Sequence, residues 1–141
     1  MNDKKIVVGY DGSLDSKKAL KLAVDIARAT NADIDLLSVI DLPPLGIVYM
    51  GDIISAYTET KRKRECAIQD AKAEAKEMGV SVTGILLEGG ASDEIMKYAC
   101  AQKASMIIVG TRGLGGFKRL LLGSTAQALA TYSDISVLIV K

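Results

Sequence analysis

Residues 106–125 read MIIVGTRGLGGFKRLLLGST, and the class of fold follows from this stretch. An apolar run over 105–110 ends at Gly110. A glycine-rich loop covers 111–122, and Gly123-Ser124-Thr125 opens a helix over about 123–132. Residues 135–140, ISVLIV, then form another strand. A short β-rich run, a glycine loop, a helix and a second β-rich run make one strand–helix–strand unit.

The same alternation extends back to the start of the chain. Residues 5–10, KIVVGY, form a first strand, broken by Asp11-Gly12-Ser13. Residues 14–29 carry Ala19, Leu20, Ala23, Val24 and Ala27 at helical spacing, with Ser13, Asp15 or Ser16 as the cap. Asn31-Ala32-Asp33 is a turn, and 34–40, IDLLSVI, is the second strand. Residues 41–51 form a connection in which Pro43-Pro44 forbids a regular element. A long helix over about 52–78 follows, with Ala67, Ala71, Ala75 and Met78 on one stripe and Gly79 as its C′ residue. Residues 80–87 are the third strand. Ser92 is expected to cap a third helix over 93–103, whose positive end suits Asp93 and Glu94. The order β-α-β-α-β-α-β-α-β predicts a single doubly wound α/β domain over 1–141, with five parallel strands in the order 3-2-1-4-5 and helices on both faces. Strands one, two and four are nearly continuous in apolar residues, as a sheet buried on both faces requires.

Composition narrows the chemistry. The 141 residues are 49% hydrophobic and 25% charged, with a formal net charge of +1. No strong field draws in nucleic acid or an anionic membrane. The basic run Lys61-Arg62-Lys63-Arg64, flanked by Glu59 and Glu65, reads as a solvated helix face. Cys66 and Cys100 stand far apart and in no metal-binding spacing. No secretory signal or bilayer-length apolar run is apparent, and a reducing cytoplasm is the expected compartment. There is no histidine, so no Ser-His-Asp triad, Cys-His pair or histidine metal ligand can form.

Two familiar glycine motifs fail on 106–125. A Walker A loop needs Lys after its second glycine, and Lys118 follows Phe117. A dinucleotide fingerprint begun at Gly113-Leu114-Gly115 meets Lys118 at its last position. The remaining logic is local. Gly110 ends a buried strand, where a missing Cβ admits a ligand to the backbone. Gly123-Ser124-Thr125 opens a helix whose first N–H groups suit a phosphate, and a branched Cβ at Gly123 is expected to fill the phosphate space. Arg112, Lys118 and Arg119 lie nearby to neutralise charge. The plainer alternative is that the glycines shape a loop and Ser124 caps a helix. With the predicted strand order, ligands bind at the switch point between strands one and four. That brings Tyr10-Asp11-Gly12 to Gly110–Gly113. Asp11 then suits a ribose hydroxyl or a metal-bound phosphate, or serves only the turn before the first helix.

VVGYDGSLDSKKALKLAVDIA, LLSVID and IIVGTRGLGGFKRLLLGSTAQALATYSDISVLIVK together resemble the universal stress protein family over essentially the whole chain. Gly110, Gly113, Gly123 and Ser124 fill the Gly-x2-Gly-x9-Gly-Ser/Thr pattern of its nucleotide-binding subgroup. The resemblance implies ATP, or ADP or AMP, with Mg²⁺ or Mn²⁺. It places Asp11 at the ribose or the phosphate-bound metal, and Gly9 and Val39 against the adenine. Gly110 falls at the ribose and Gly113 near the phosphates, while Gly123, Ser124 and the Thr125 backbone hold the phosphate chain. It also implies a homodimer paired through the last strand, Val137 to Val140, which would cover an apolar edge. Ser105 and Ile135-Ser136 depart from the family's Asp and Cys-Pro at those positions, outside the glycine pattern. Three functions are open: an ATP-binding regulatory protein, favoured by the intact pattern; a slow ATP hydrolase or phosphotransfer enzyme; and a structural dimer with an empty loop.

Overall fold

The computed structural model describes residues 4–41, 50–112 and 122–141. The elements are β1 (Lys5–Gly9), α1 (Leu14–Thr30), β2 (Asp33–Ile40), α2 (Met50–Glu77), β3 (Val82–Glu88), α3 (Ala91–Ala101), β4 (Met106–Gly110), α4 (Ser124–Tyr132) and β5 (Val137–Val140). The five strands form one parallel sheet in the order β3-β2-β1-β4-β5, as the sequence predicts. Most of the 41–51 connection and most of the 111–122 loop, with Gly113, Lys118 and Arg119, lie outside the described residues.

The sheet separates two apolar layers, because successive side chains of a strand point to opposite faces. Ile6, Val8, Ile34, Leu36 and Ile108 pack against Leu20, Ala23 and Val24 of α1 and Ala71 and Ala75 of α2. Val7, Leu37, Val39, Ile107 and Val109 pack against Ile95 and Ala99 of α3 and Ala126 and Leu129 of α4. A small residue on the strand lets α2 come close: a Cβ on Gly84 of β3 would collide with Ile68 Cγ2 of α2.

The element ends differ from the sequence reading for identifiable reasons. Ser13 is the cap of α1, its hydroxyl accepting from Ser16 N–H at 3.2 Å. Asp15 and Ser16 are therefore inside the helix. Gly79 ends α2 as expected, with φ +84°. Its N–H donates to Lys76 and that of Val80 to Ala75, a Schellman arrangement. This cap consumes residue 80, so β3 begins at Val82. Ser92 is not the cap of α3. The helix starts two residues earlier, from Gly90, which offers no side-chain cap. It ends at Ala101 because Lys103 turns left-handed at φ +52°. The N–H groups of Lys103 and Ala104 then close onto Cys100 and Ala99.

Two buried polar residues, Asp35 and Ser38, interrupt β2. Asp35, 3% exposed, accepts from Tyr98 Oη at 2.7 Å and pairs with Lys5 Nζ at 3.0 Å. Burial and the adjacent carboxylate push the Tyr98 phenol up from its ordinary range. Among the described residues, no helix is long and apolar enough to cross a membrane.

Candidate functional site

Strand order reverses between β1 and β4: the chain runs outward from β1 to β2 and β3, then crosses back to β4 on the other side of β1 and on to β5. The carboxyl ends of those strands therefore lack a covering crossover, and a cleft of about 330 Å³ opens there. Every described residue of the predicted site lines it: Gly9, Asp11, Val39, Gly110, Gly123, Ser124 and Thr125. Gly113 lies outside the described residues.

The phosphate-suited end is the N-terminus of α4. Gly123 is its N-cap and supplies no side-chain cap, and the first turn holds no acidic residue. The first N–H groups of the helix, from Ser124 to Ala126, thus face the cleft with no intrahelical acceptor. The other two helices whose starts are characterised are compensated: α1 by Ser13 and Asp15, α3 by Asp93 and Glu94. The Gly123 N–H is already committed, donating to Thr111 O at 2.6 Å.

The glycines act differently from the sequence expectation. A Cβ on Gly110 would lie 2.7–2.9 Å from the Cβ, C and O of Asp15. What approaches this backbone is helix α1, and Gly110 meets the cleft with its main chain. A Cβ on Gly123 would lie 3.0 Å from Thr111 O and 3.2 Å from Arg112 Cα. It would press the helix start away from the end of β4. A Cβ on Gly9 would meet Val109 Cγ1 at 2.8 Å and Ile95 Cδ1 at 3.1 Å.

Asp11 lines the cleft. Its Oδ1 accepts from Ser13 N–H at 2.9 Å, an Asx turn that seats the left-handed Gly12 (φ +84°). The turn role weighed for Asp11 from sequence is therefore present, and the carboxylate also borders the cleft. Among the described residues, no group of three or more Asp, Glu, Cys or His is arranged to hold a metal. Tyr10 is buried beside it. Burial chiefly, with Glu74, Asp70 and Asp11 adding, raises its phenol to about 12, so it stays protonated near neutrality and is no base there.

Further residues in and beside the cleft escaped the sequence reading. Asp15, weighed only as a cap, reaches across to the residues that follow β4. Its Oδ2 accepts from Thr111 Oγ1 at 2.8 Å and lies 3.9 Å from Arg112 Nε. Arg64, read as part of a solvated face, turns inward with Asp41 at the other end of the cleft. Its position on the Ala67–Ala71 stripe of α2 was the available signal.

The chain matches the model of the universal stress protein family over residues 3–141. It is 35% identical over 139 residues to universal stress protein MJ0531 of Methanocaldococcus jannaschii, spanning 98% of this chain and 82% of that one. Its fold superposes on the universal stress protein UspA from Lactobacillus plantarum with a TM-score of 0.87 at 18% identity, over 100% and 99% of the two chains. A universal stress protein solved in complex with cAMP is 28% identical with a TM-score of 0.75, over 98% and 97%.

Proposed function

This chain belongs to the universal stress protein family, and on that premise we propose that it is an adenine-nucleotide-binding regulatory protein. The observation that carries the reading is the uncapped, acid-free start of α4, turned onto a cleft at the switch point of the sheet. Main-chain N–H groups and the helix dipole hold the phosphates there. Ser124 adds a hydroxyl, and Gly113 joins them from the glycine loop. Gly9 and Val39 meet the base, and Gly110 the ribose. The similar protein solved with cAMP supports an adenine ligand.

ATP is the favoured nucleotide, with ADP and AMP as the shorter alternatives. A Mg²⁺ or Mn²⁺ ion would be held by Asp11 together with the phosphates. One carboxylate with ligand oxygens and water fits Mg²⁺, which is commonly bound in that manner. The protein acts by binding in a cytoplasmic homodimer. Any ATP hydrolysis runs below ~1 per second, the lower end of ordinary enzyme turnover.

The test is to purify the protein without added nucleotide, denature it, and identify what is released by chromatography and mass. A near-stoichiometric adenine nucleotide is expected, and its phosphate count names the resident form. Protein that is empty and takes up no ATP with Mg²⁺ in calorimetry would be a structural dimer instead.

A further inference from the structure

The basic run on α2 divides by direction. Arg62 donates to both oxygens of Glu59, at 2.7 and 3.2 Å, and Lys63 Nζ lies 3.9 Å from the same carboxylate. Both side chains stay on the exposed face. Arg64 lies seven residues before Ala71, on the stripe that α2 presents to the sheet. It is half-buried, and its Nη1 donates to Ser38 Oγ at 3.2 Å. Ser38 is 1% exposed on β2, so a buried hydroxyl aims the guanidinium at the cleft.

Charge balance sets this arginine apart. Arg112, at the other end, has Asp15 beside it. Among the described residues no carboxylate forms an ion pair with Arg64. Withdrawing part of a cation from water without a counter-charge costs free energy. A guanidinium carries five N–H donors in a fixed fork, and the bond to Ser38 uses one.

Position says what those donors meet. Arg64 stands over β2, the start of α4 beyond β4, and β1 lies between β2 and β4. With neighbouring strands ~4.8 Å apart, β2 and β4 themselves stand about 10 Å apart across the sheet, and α2 and α4 pack on its opposite faces. A phosphate on α4 leaves Arg64 facing the other half of the ligand. Leu37, Val39 and Ile95 line the cleft with apolar surface suited to a base.

We propose that Arg64, oriented by Ser38, contacts the nucleoside half of the bound nucleotide, donating hydrogen bonds to acceptor atoms of the base or sugar and not to the phosphates. The proposal rests on the nucleotide reading above. The experiment is calorimetry with AMP, and with adenosine in competition against it, on the full chain and on Arg64→Gln, Arg64→Lys, Ser38→Ala and the Ser38→Ala/Arg64→Gln double variant. Unfolding midpoints are matched first.

Arg64→Gln is expected to weaken AMP and adenosine alike, by about ten- to a hundredfold as for a charged hydrogen bond, leaving the ratio of the two affinities unchanged. Arg64→Lys recovers only part of the loss, because the fork is gone. Ser38→Ala weakens both ligands when Arg64 is present and has no further effect when it is absent. A loss confined to AMP would move Arg64 to the phosphates and overturn the proposal, and unchanged affinity for both ligands would overturn it outright. Wild-type protein that binds neither compound, nor ATP with Mg²⁺, would instead remove the nucleotide reading on which the proposal stands.

Discussion

At Gly110 and Gly123 the missing side chains make room for other main chain: α1 at the first, the end of β4 at the second. Gly110→Ala is therefore expected to destabilise the fold by about 1–3 kcal/mol, the usual effect of overpacking, measured by urea unfolding. Unchanged stability would mean that α1 shifts freely there. Gly123→Val should abolish nucleotide binding in calorimetry by displacing the start of α4 from Thr111. The spacing of these glycines was legible in the sequence, and their physical purpose was not, because the atom each glycine makes room for lies a hundred positions away or across a loop. Asp11 poses a different question, since it already serves a turn through one oxygen. Asp11→Ala should weaken ATP binding more with Mg²⁺ or Mn²⁺ present than without, if the carboxylate holds the metal. An equal loss in both conditions, compared by calorimetry, would assign it to the ribose.

Element by element, local chemistry carried the reading where it was strong and failed where tertiary contact decided. The Schellman cap at Gly79 was visible because glycine follows a long apolar stripe. The end of α3 was not, because Lys103 occupies the left-handed position that glycine normally holds. Lys103→Gly should relieve that conformation and stabilise the protein by about 1 kcal/mol, a rise seen in chemical denaturation. A fall would show that the lysine side chain makes a compensating contact. Arg64 was hidden for a related reason: four consecutive basic residues look alike in sequence, and only the phase of α2 against Ala67 and Ala71 separates the one that turns inward. Ser38 and Asp35 were likewise absorbed into an apolar strand, since their partners, Arg64 and Tyr98, come from other helices.

For the molecule as a whole, strand order and layering followed from the β-α alternation alone, because parallel pairing and helical crossovers leave few alternatives. The proposed association of two copies is a separate matter of edges. On β5 the carbonyls of Ser136 and Val140 accept from β4, so the main chain of Val137 and Ile139 faces outward along the open edge. Ile139→Pro removes one outward N–H while sparing the ladder to β4. It is expected to convert a dimer to monomer in sedimentation velocity, and a dimer that persists would place the contact elsewhere. The cleft has a consequence on this scale as well. Its walls come from β1, α1, β2, α2, α3, β4 and α4, from Gly9 to Ala126, so no fragment of the chain inherits it. A molecule seated there ties the first strand to the last helix, and it stabilises the folded state by about 2.7 kcal/mol at a hundred times its dissociation constant. Where proteolysis tracks the population of opened chains, the proposed nucleotide binding would lengthen the protein's survival in proportion to the nucleotide around it.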